Sequence, residues 1–216
     1  MPGMSDQARP TSVKLAEPLE DDEIHLWSGE HRPASGRAPL RALLARYLGV
    51  PASEVRLGEE AHGRPVVELP RSPGLHFNWT HSHGRALVAV ARDVQPGVDL
   101  EWLSRRGHDV VGLARRFFDP AEAAAIERCE PLQRLQCFVR MWCCKEALLK
   151  AHGRGLAYGL HRVAIALDAA GPRIRSFDGE LPEAWQLVEL ALEEGWVAAL
   201  AWRGEAKRLV WRGALE

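Results

Sequence analysis

The chain has 216 residues and a formal net charge of −1, so it lacks the global basic field that favours nucleic-acid binding. This length allows one large domain or two small ones with a sizeable hydrophobic core. No apolar run approaches the roughly 18 residues of a membrane span, and the polar N-terminus lacks the apolar stretch of a signal peptide. We therefore expect a cytoplasmic protein with neither nucleic acid nor membrane as a partner.

The first part of the chain combines one helix with several strands. Residues 1–19 are polar and contain prolines, which predicts a loose tail. Arg37–Leu48 carries apolar residues at helical spacing, and Gly49 and Pro51 end that helix. The polar residues His81–Gly84 form the predicted loop of a hairpin. Strands are predicted at Glu23–Trp27, Glu54–Leu57, Val66–Val67, Leu75–Thr80, Ala86–Ala91 and Val98–Trp102, with a turn-rich connector at Ser28–Ser35.

The second part of the chain begins with helices and continues with strands. Val110–Phe118 is amphipathic, and a second helix starts at Asp119, with Pro120 and Glu122 at the positions of a first-turn proline and a capping-box glutamate. A third helix is predicted at Leu132–Ala151. Strands are predicted at Val163–Leu167, Arg173–Phe177, Trp185–Leu192, Trp196–Trp202 and Arg208–Trp211.

A weak internal repeat suggests the architecture. The segments HFNWTHSHGRALVAVAR and QLVELALEEGWVAALAWR both form a strand, a tight connection and a strand, and a helix precedes each. We predict an α+β fold with two similar α/β halves, residues 20–100 and 101–216, each a helix packed on a small, mostly antiparallel sheet. The repeat covers only about twenty residues, so a coincidence of two hairpins is the alternative.

The four cysteines all lie in one predicted helical region. They are Cys129, Cys137, Cys143 and Cys144. The adjacent pair is a poor candidate for a disulfide, and no C-x-x-C zinc spacing occurs. Free thiols in a chain without a recognisable export signal fit a reducing compartment. We interpret all four as structural rather than reactive groups.

Three acidic residues form the candidate metal site. Asp99 and Glu101 are two positions apart on a predicted strand, so both carboxylates point to the same side. Together with Glu146 they would offer three hard oxygen donors, which suit Mg²⁺. Lys145 and Lys150 beside them would hold phosphate charge. The alternatives are the solvent face of a half-exposed strand and an ordinary Glu–Lys pair on a solvated helix.

Other polar residues give weaker signals. His81, Ser82 and His83 suit phosphate oxygens, but surface or structural histidines are an equally good interpretation, and two histidines alone do not make a metal site. Arg64 follows Gly63 in a turn, and Arg37 starts a helix. An arginine at either place is more often plain surface.

The residues around these positions resemble the 4′-phosphopantetheinyl transferase family. The segment 97–101, GVDLE, resembles the family motif G-[IV]-D-[IVL]-E, and 142–156 resembles W-x-x-K-E-A-x-x-K-x-x-G-x-G-L. Residues 77–82, FNWTHS, are similar to F-N-[LI]-S-H-S, and 63–65, GRP, to G-[KR]-P. Residues 117–122 are similar to F-F-[ST]-x-x-E. The chain length resembles the monomeric, surfactin-type members with two pseudo-symmetric halves.

The resemblance implies a reaction. Coenzyme A would lie in a cleft between the halves, and a serine of an acyl or peptidyl carrier protein would attack its β-phosphorus. Phosphopantetheine would move to the serine, with release of adenosine 3′,5′-bisphosphate. By position, Asp99, Glu101 and Glu146 would hold Mg²⁺. Glu146 or a metal-bound water would take the serine proton, and Lys150 would bind the pyrophosphate and assist the leaving group.

The remaining roles concern coenzyme A and the carrier. By the same resemblance, Thr80 and His81 would contact phosphates, Arg37 the 3′-phosphate, and Arg64 would border the adenine, while Lys145 would help to orient the pair. Thr80 replaces the usual serine and keeps a hydroxyl. The segment between Trp27 and Arg37 is short for the family, which weakens the case for a complete 3′-phosphate site.

The residues that could receive the carrier protein are suggested only by their charge. The candidates are Arg105, Arg106, Arg115 and Arg116, with an ordinary solvated helix as the alternative.

Two other functions use the same residues. A Mg²⁺-dependent hydrolase of a phosphoanhydride in a nucleotide-type substrate could use the three carboxylates without a carrier-protein surface. A non-catalytic binding module could retain the fold. The full set of Asp99, Glu101, Glu146 and Lys150 favours an enzyme, because an idle site need not keep every charged member.

Overall fold

A computed structural model of the chain describes residues 18–103 and 109–215. Within these ranges it contains four α-helices, α1 (Ala38–Leu48), α2 (Val110–Phe117), α3 (Pro120–Arg128) and α4 (Arg134–His152). The strands are β1 (Glu23–Glu30), β2 (Arg56–Glu59), β3 (Pro65–Leu69), β4 (Leu75–Ser82), β5 (Arg85–Arg92), β6 (Gly97–Trp102), β7 (Val163–Asp168), β8 (Gly171–Phe177), β9 (Trp185–Glu189), β10 (Trp196–Arg203) and β11 (Arg208–Ala214). None of the helices in the described ranges is long and apolar enough to cross a membrane.

The first sheet has the strand order β11-β1-β5-β4. β5 is antiparallel to both β1 and β4, whereas β11 pairs with β1 in parallel. α1 covers one face, because its buried leucines share a core with Trp27, Phe77 and Val90 of the sheet. β2 and β3 form a separate two-stranded hairpin.

The second sheet is antiparallel and has the order β6-β10-β9. α4 packs on it, with Ala147 and Leu148 in the same core as Ala199 and Ala201 of β10. α2, α3 and the β7–β8 hairpin add apolar side chains to that core. The predicted α+β class, with a helix on each small sheet, is therefore confirmed.

A third apolar cluster lies between the two sheets. Leu26 and Leu87 of the first sheet meet Val98, Leu100 and Leu200 of the second, and all five are at most 1% exposed. At this junction β4 approaches β6, and the two are joined through side chains rather than through a backbone ladder. The first link is the Asn78 amide, whose Oδ1 accepts a hydrogen bond of 2.9 Å from the backbone N–H of Val98.

Gly97, the first residue of β6, allows α4 to lie directly on this strand. A Cβ at Gly97 would fall 2.1 Å from the carbonyl oxygen of Ala147 and 2.3 Å from the backbone nitrogen of Ala151. No real Cβ tolerates such contacts with backbone atoms, so only glycine lets the two backbones approach this closely. The residues that follow Gly97 and the last turns of α4 are thereby held face to face.

Several predicted boundaries need correction. β4 continues to Ser82 and β5 starts at Arg85, so His81 and Ser82 lie on a strand and the turn is only His83–Gly84, both with positive φ. β1 likewise extends to Glu30, three residues into the predicted connector. The capping box at the start of α3 is present as predicted, and Gly153 ends α4 in the left-handed conformation.

The predicted division at residue 100 does not follow the sheets. β6 spans that boundary and belongs wholly to the second sheet, while β11, from the predicted second half, completes the first sheet. Each sheet therefore takes strands from both predicted halves. The pseudo-two-fold relation between the halves stays a prediction.

Candidate active site

Two carboxylates project from one face of β6. Asp99 is 5% exposed and Glu101 is half-buried, while their neighbours Val98 and Leu100 lie in the core between the sheets. This is the alternation that the sequence predicts, and it places both acids on the side that faces α4 and the end of β4.

Hydroxyl groups of β4 hold these two acids in place. Thr80 Oγ1 donates to Asp99 Oδ1 over 3.3 Å, and Ser82 Oγ donates to Glu101 Oε2 over 2.8 Å. Thr80 and Ser82 are two positions apart, as are their partners, so the two strands match residue for residue. The sequence analysis considered Ser82 only as a possible phosphate contact and missed its hydrogen bond to Glu101, although the two-residue spacing between Thr80 and Ser82 could have indicated it.

α4 contributes an acid and a cation to the same place. Lys150 Nζ lies 2.6 Å from Asp99 Oδ1, 3.1 Å from the carbonyl oxygen of Val98 and 3.4 Å from Thr80 Oγ1. Glu146, one turn earlier on the helix, is 7% exposed. The structure thus brings together Asp99, Glu146 and Lys150, with Thr80 beside them.

The electrostatics of this cluster favour an additional cation. Burial, and then the nearby charge of Asp99, raise the pKa of Glu146 to about 7, against the opposing effect of Lys150. Burial also raises the pKa of Glu101, with a smaller contribution from Asp99. A single lysine therefore does not balance three carboxylates that are largely removed from water.

One oxygen in the cluster has the environment of a metal ligand. Asp99 Oδ2 is buried and has no hydrogen-bond partner in the structure. An orphaned carboxylate oxygen among three acids is the donor chemistry that a hard divalent cation requires. The three carboxylates are not preassembled, however, because among the described residues no three His, Cys, Asp or Glu side chains are arranged to hold one ion. The residues fit Mg²⁺ by type and location, and Lys150 now neutralises one of them.

Lys145 does not join this cluster. Its side chain is fully buried, and its Nζ lies 2.6 Å from Glu122 Oε2 and also donates to the carbonyl oxygens of Leu160 and Val163. Burial lowers the pKa of Lys145, and the charge of Glu122 opposes that shift. The predicted contact with phosphate is therefore wrong in this structure, because every donor direction of Lys145 points into the core beneath α4.

Glu122 has a larger structural role than its capping position suggested. Oε2 accepts from the backbone N–H of Asp119, as a capping box requires, and Oε1 accepts from the backbone N–H of Ile165 over 2.7 Å. Through these hydrogen bonds and its salt bridge to Lys145, Glu122 joins α3, α4 and β7. This buried pair fixes how α4 is rotated, and so which of its charges face Asp99.

The two arginines predicted to contact coenzyme A differ in environment. Arg37 is partly exposed and pairs with Glu59. Arg64 is 7% exposed, and its guanidinium donates to the side chain of Gln95 and to the carbonyl oxygen of Pro96 over 2.9 Å. Burial lowers the pKa of Arg64. Arg64 thus anchors the chain just before β6, and it also lines a cleft of about 210 Å³ with Pro65, His76 and Gln95.

His81 lies on β4 in an exposed aromatic group. Its ring stacks on His31 with centroids 4.1 Å apart, and Trp79 meets it edge-on at 5.3 Å. Partial burial lowers the pKa of His81, and the electrostatic effects of His31 and then Lys150 lower it further. His31 was not identified from the sequence, because its only signal is proximity in the fold across two strands.

A second cleft, of about 310 Å³, opens at the other end of the site. Its apolar lining comes from β6, α2 and α4, and Glu101 lies at its edge. The lining includes Trp102, Leu113, Phe117, Phe138 and Trp142. Leu113 and Phe117 are more than one-third exposed, which is unusual for large apolar side chains on a short helix. The amphipathic pattern of Val110–Phe118 predicted only an ordinary surface helix, so the sequence analysis did not identify this cleft.

The predicted docking arginines are only partly described. Arg115 pairs with Glu127 of α3, and Arg116 lies over the ring of Phe117 at the apolar cleft. Arg105 and Arg106 lie outside the described residues.

Comparisons with known proteins identify the family of this chain. The family model of the 4′-phosphopantetheinyl transferase superfamily matches residues 95–201. 4′-Phosphopantetheinyl transferase HetI of Nostoc sp. is 37% identical over 206 residues, which cover 92% of this chain and 84% of HetI. The chain therefore belongs to the 4′-phosphopantetheinyl transferase superfamily. It is an enzyme of that class, as its sequence predicts.

Other relatives span a wide range of organisms. The human L-aminoadipate-semialdehyde dehydrogenase-phosphopantetheinyl transferase is 30% identical, over 89% of this chain and 68% of its own length. Sfp of Bacillus subtilis, a surfactin-type protein, is 29% identical over 65% of this chain and 60% of Sfp. A solved holo-(acyl-carrier-protein) synthase from Bacillus anthracis, in complex with CoA (3′,5′-ADP), matches with a TM-score of 0.42 and 16% identity. That match covers 51% of this chain and 96% of the synthase.

Proposed function

We propose that this chain transfers the 4′-phosphopantetheine arm of coenzyme A to a serine of an acyl or peptidyl carrier protein. The reaction would require Mg²⁺ and release adenosine 3′,5′-bisphosphate, with the chain acting as a monomer. The observation that carries the proposal is the cluster of Asp99, Glu101, Glu146 and Lys150, with its orphaned Asp99 oxygen, in a chain of this family.

The two clefts support a direction for coenzyme A across this cluster. The cleft at Arg64 lies near Pro96 and Ala151, at the start of β6 and the end of α4, while the apolar cleft lies at Trp102, the other end of β6. The cluster lies between them. We place the adenine at Arg64, the pyrophosphate at Lys150 and the pantetheine arm toward Trp102.

In this arrangement the charged residues would have different roles: Lys150 would bind the pyrophosphate and the carboxylates would bind the cation. Lys150 exchanges its contact with Asp99 for the pyrophosphate, which leaves Asp99 free to bind the cation together with Glu101 and Glu146. Bound Mg²⁺ would offset the charge that develops on the pyrophosphate. Thr80 and Ser82 keep the two strand acids oriented. The contact of His81 with phosphate stays a proposal, supported by its electrostatic interaction with Lys150.

Glu146 is the candidate base for the carrier serine. Glu146 is 7% exposed and lies beside Asp99, and in the metal-free protein burial and then Asp99 raise the pKa of Glu146 to about 7. A bound cation would lower this pKa and keep the carboxylate ionised, so that it can accept a proton. The serine hydroxyl gives its proton to Glu146 while its oxygen bonds to the β-phosphorus of coenzyme A. The bond from that phosphorus to the bridging oxygen breaks, and the adenosine bisphosphate leaves with its charge held by Lys150.

The test is a carrier-modification assay. The protein is incubated with coenzyme A, Mg²⁺ and an apo carrier protein, and the carrier mass is measured. We expect the carrier to gain one phosphopantetheine arm, and a carrier with its serine replaced by alanine to gain none. Glu146→Gln should lower the rate at least about 100-fold, whereas Glu130→Gln, at an exposed position, should not.

A hydrolase would behave differently in the same assay. Loss of coenzyme A at an equal rate with and without carrier, and no gain of carrier mass, would support phosphoanhydride hydrolysis and overturn the proposal. Unchanged transfer by chelator-treated protein without added Mg²⁺ would show that the reaction does not require the metal, and that part of the proposal would be wrong.

A further inference from the structure

Two cysteines meet at the corner between α3 and α4, away from the carboxylate cluster. Cys129 directly follows α3, and Cys137 lies in the first turns of α4. Their Sγ atoms are 3.0 Å apart, only about 1 Å more than a disulfide bond of about 2.05 Å. The side chains therefore already point at each other, and only a small approach separates two thiols from one covalent link.

The other two cysteines provide an internal contrast. Cys143 and Cys144 are fully buried, and burial raises the pKa of both thiols. The Cys143 thiol donates to the carbonyl oxygen of Val197 rather than to another thiol. Cys129 and Cys137 are instead only partly buried, and residues 130–133, which lead from Cys129 to the start of α4, are exposed. A small oxidant can reach this pair, and the short connection can adjust.

We propose that Cys129 and Cys137 are a reversible modification site that closes to an intramolecular disulfide. The proposal is independent of the transferase reaction. The oxidant is a low-molecular-weight disulfide of the glutathione type. It accepts two electrons and leaves as two thiols, which carry away the two protons of the cysteines.

The order of steps follows from the two environments. Burial, and then the hydrogen bond with Cys129, raise the pKa of Cys137 to about 11, so the Cys137 thiol holds its proton at neutral pH and we assign it the second step. Cys129 attacks one sulfur of the oxidant and expels the first small thiolate. Cys137 then loses its proton and attacks the Cys129 sulfur of this mixed disulfide, and the second small thiolate leaves.

The corner is already built to accept this link. Arg134 donates to the carbonyl oxygens of Cys129 and Glu127, which holds the end of α3 against the start of α4. A disulfide would add a covalent tie between the helices that carry Glu122 and Lys145. Because it constrains the unfolded chain more than the ordered corner, the oxidised protein should melt at a higher temperature by roughly 5 °C.

The test equilibrates the full-length folded protein in glutathione buffers from reducing to oxidising. The samples are then quenched in acid, alkylated and digested. We expect a cross-linked peptide pair holding Cys129 and Cys137, with Cys143 and Cys144 still reduced. Cys129→Ser and Cys137→Ser should each give only a glutathione adduct on the remaining partner. The rise in melting temperature should appear in the wild type and be absent from both variants.

Three results would overturn the proposal. In the first, the wild-type protein gains a glutathione adduct but forms no disulfide. In the second, the cross-link forms only between molecules. In the third, the cysteines are oxidised only in denaturant. Serine is close to cysteine in size, so both variants should fold. If one does not, mapping the cross-link in the wild type still decides the question.

Discussion

Lys150 and Asp99 form a salt bridge of 2.6 Å that joins α4 to β6 at the centre of the charged cluster. The contact uses one carboxylate oxygen of Asp99 and leaves the other without a partner. The lysine is 24% exposed at its side chain and so can turn toward solvent or toward an arriving anion. The structure is therefore in a state in which an internal cation neutralises Asp99.

The two lysines of the K-E-A-x-x-K motif should behave in opposite ways when replaced by methionine. Lys145→Met leaves Glu122 charged and buried, so it should lower the free energy of unfolding by about 3–5 kcal/mol. Lys150→Met also leaves Asp99 without its cation, but Lys150 is 24% exposed and Glu146 can take up a proton in compensation, so this variant should lose less stability than Lys145→Met. It should lower kcat/KM for coenzyme A at least about 100-fold. Urea unfolding and steady-state kinetics at low temperature separate the two effects. An equal loss of stability in both variants would contradict this division.

Ser82→Ala tests whether β4 orients the second acid of β6. The variant removes the 2.8 Å hydrogen bond to Glu101, and such bonds to charged groups contribute about 1.5–3 kcal/mol. We expect Mg²⁺ affinity, measured by calorimetric titration, to fall about tenfold or more, and the melting temperature to fall by several degrees at most. Ser53→Ala, at an exposed position, is the matched control. Wild-type affinity in Ser82→Ala would mean that Glu101 needs no such support.

Glu146 should make the metal-free protein less stable as pH rises. Burial raises the pKa of Glu146 from 4.5 to about 7, so the folded state holds this proton more tightly than the unfolded chain does. Its stabilising contribution is complete below about pH 4.5 and is lost as pH passes through 7, with a total of about 3 kcal/mol. Glu146→Gln should lack this loss.

Urea unfolding at pH 5 and pH 8 in a chelating buffer checks this expectation. At pH 8, Glu146→Gln should be more stable than the wild type, and at pH 5 the two should be similar. Glu130→Gln should follow the wild type at both values. Parallel pH dependences for wild type and Glu146→Gln would show that residue 146 does not titrate in this range.

Gly97→Ala should damage both the fold and the site. The new Cβ would overlap the backbone of α4 at Ala147 and Ala151, so the helix must move by about 1 Å or the protein must lose stability. We expect a loss of several kcal/mol and a severe loss of transfer. Gly58→Ala is the control, because its Cβ would meet only the side chain of Glu68 at 3.5 Å. A stable and active Gly97→Ala variant would contradict the close packing of β6 and α4.

Local patterns predicted much of this molecule. The capping box of α3, the extent of α4 and the alternation along β6 depend on neighbours in sequence, and the structure has all three. The grouping of Asp99 with Lys150 needed the family resemblance, because nothing local indicates which surface of α4 meets which strand.

Other features depend on contacts that the sequence does not encode locally. Lys145 and Lys150 look alike as charges on one helix, and only packing decides that one pairs with Glu122 inside the core. The stacking of His31 on His81 and the apolar cleft at Phe117 arise between elements that are distant in sequence. Strand pairing also depends on contacts between elements that are distant in sequence, which is why the sequence did not predict that each sheet takes strands from both predicted halves.

The parallel pairing of β11 with β1 has a consequence for biosynthesis. Arg212 of β11 reaches His25 of β1 across 187 positions of the chain. A ribosome therefore releases β1, β5 and β4 long before the strand that covers the edge of β1 exists, and this edge stays open to pairing with other chains during translation. Because contacts of this length also slow folding, we expect nascent chains that stall before residue 208 to depend on chaperones.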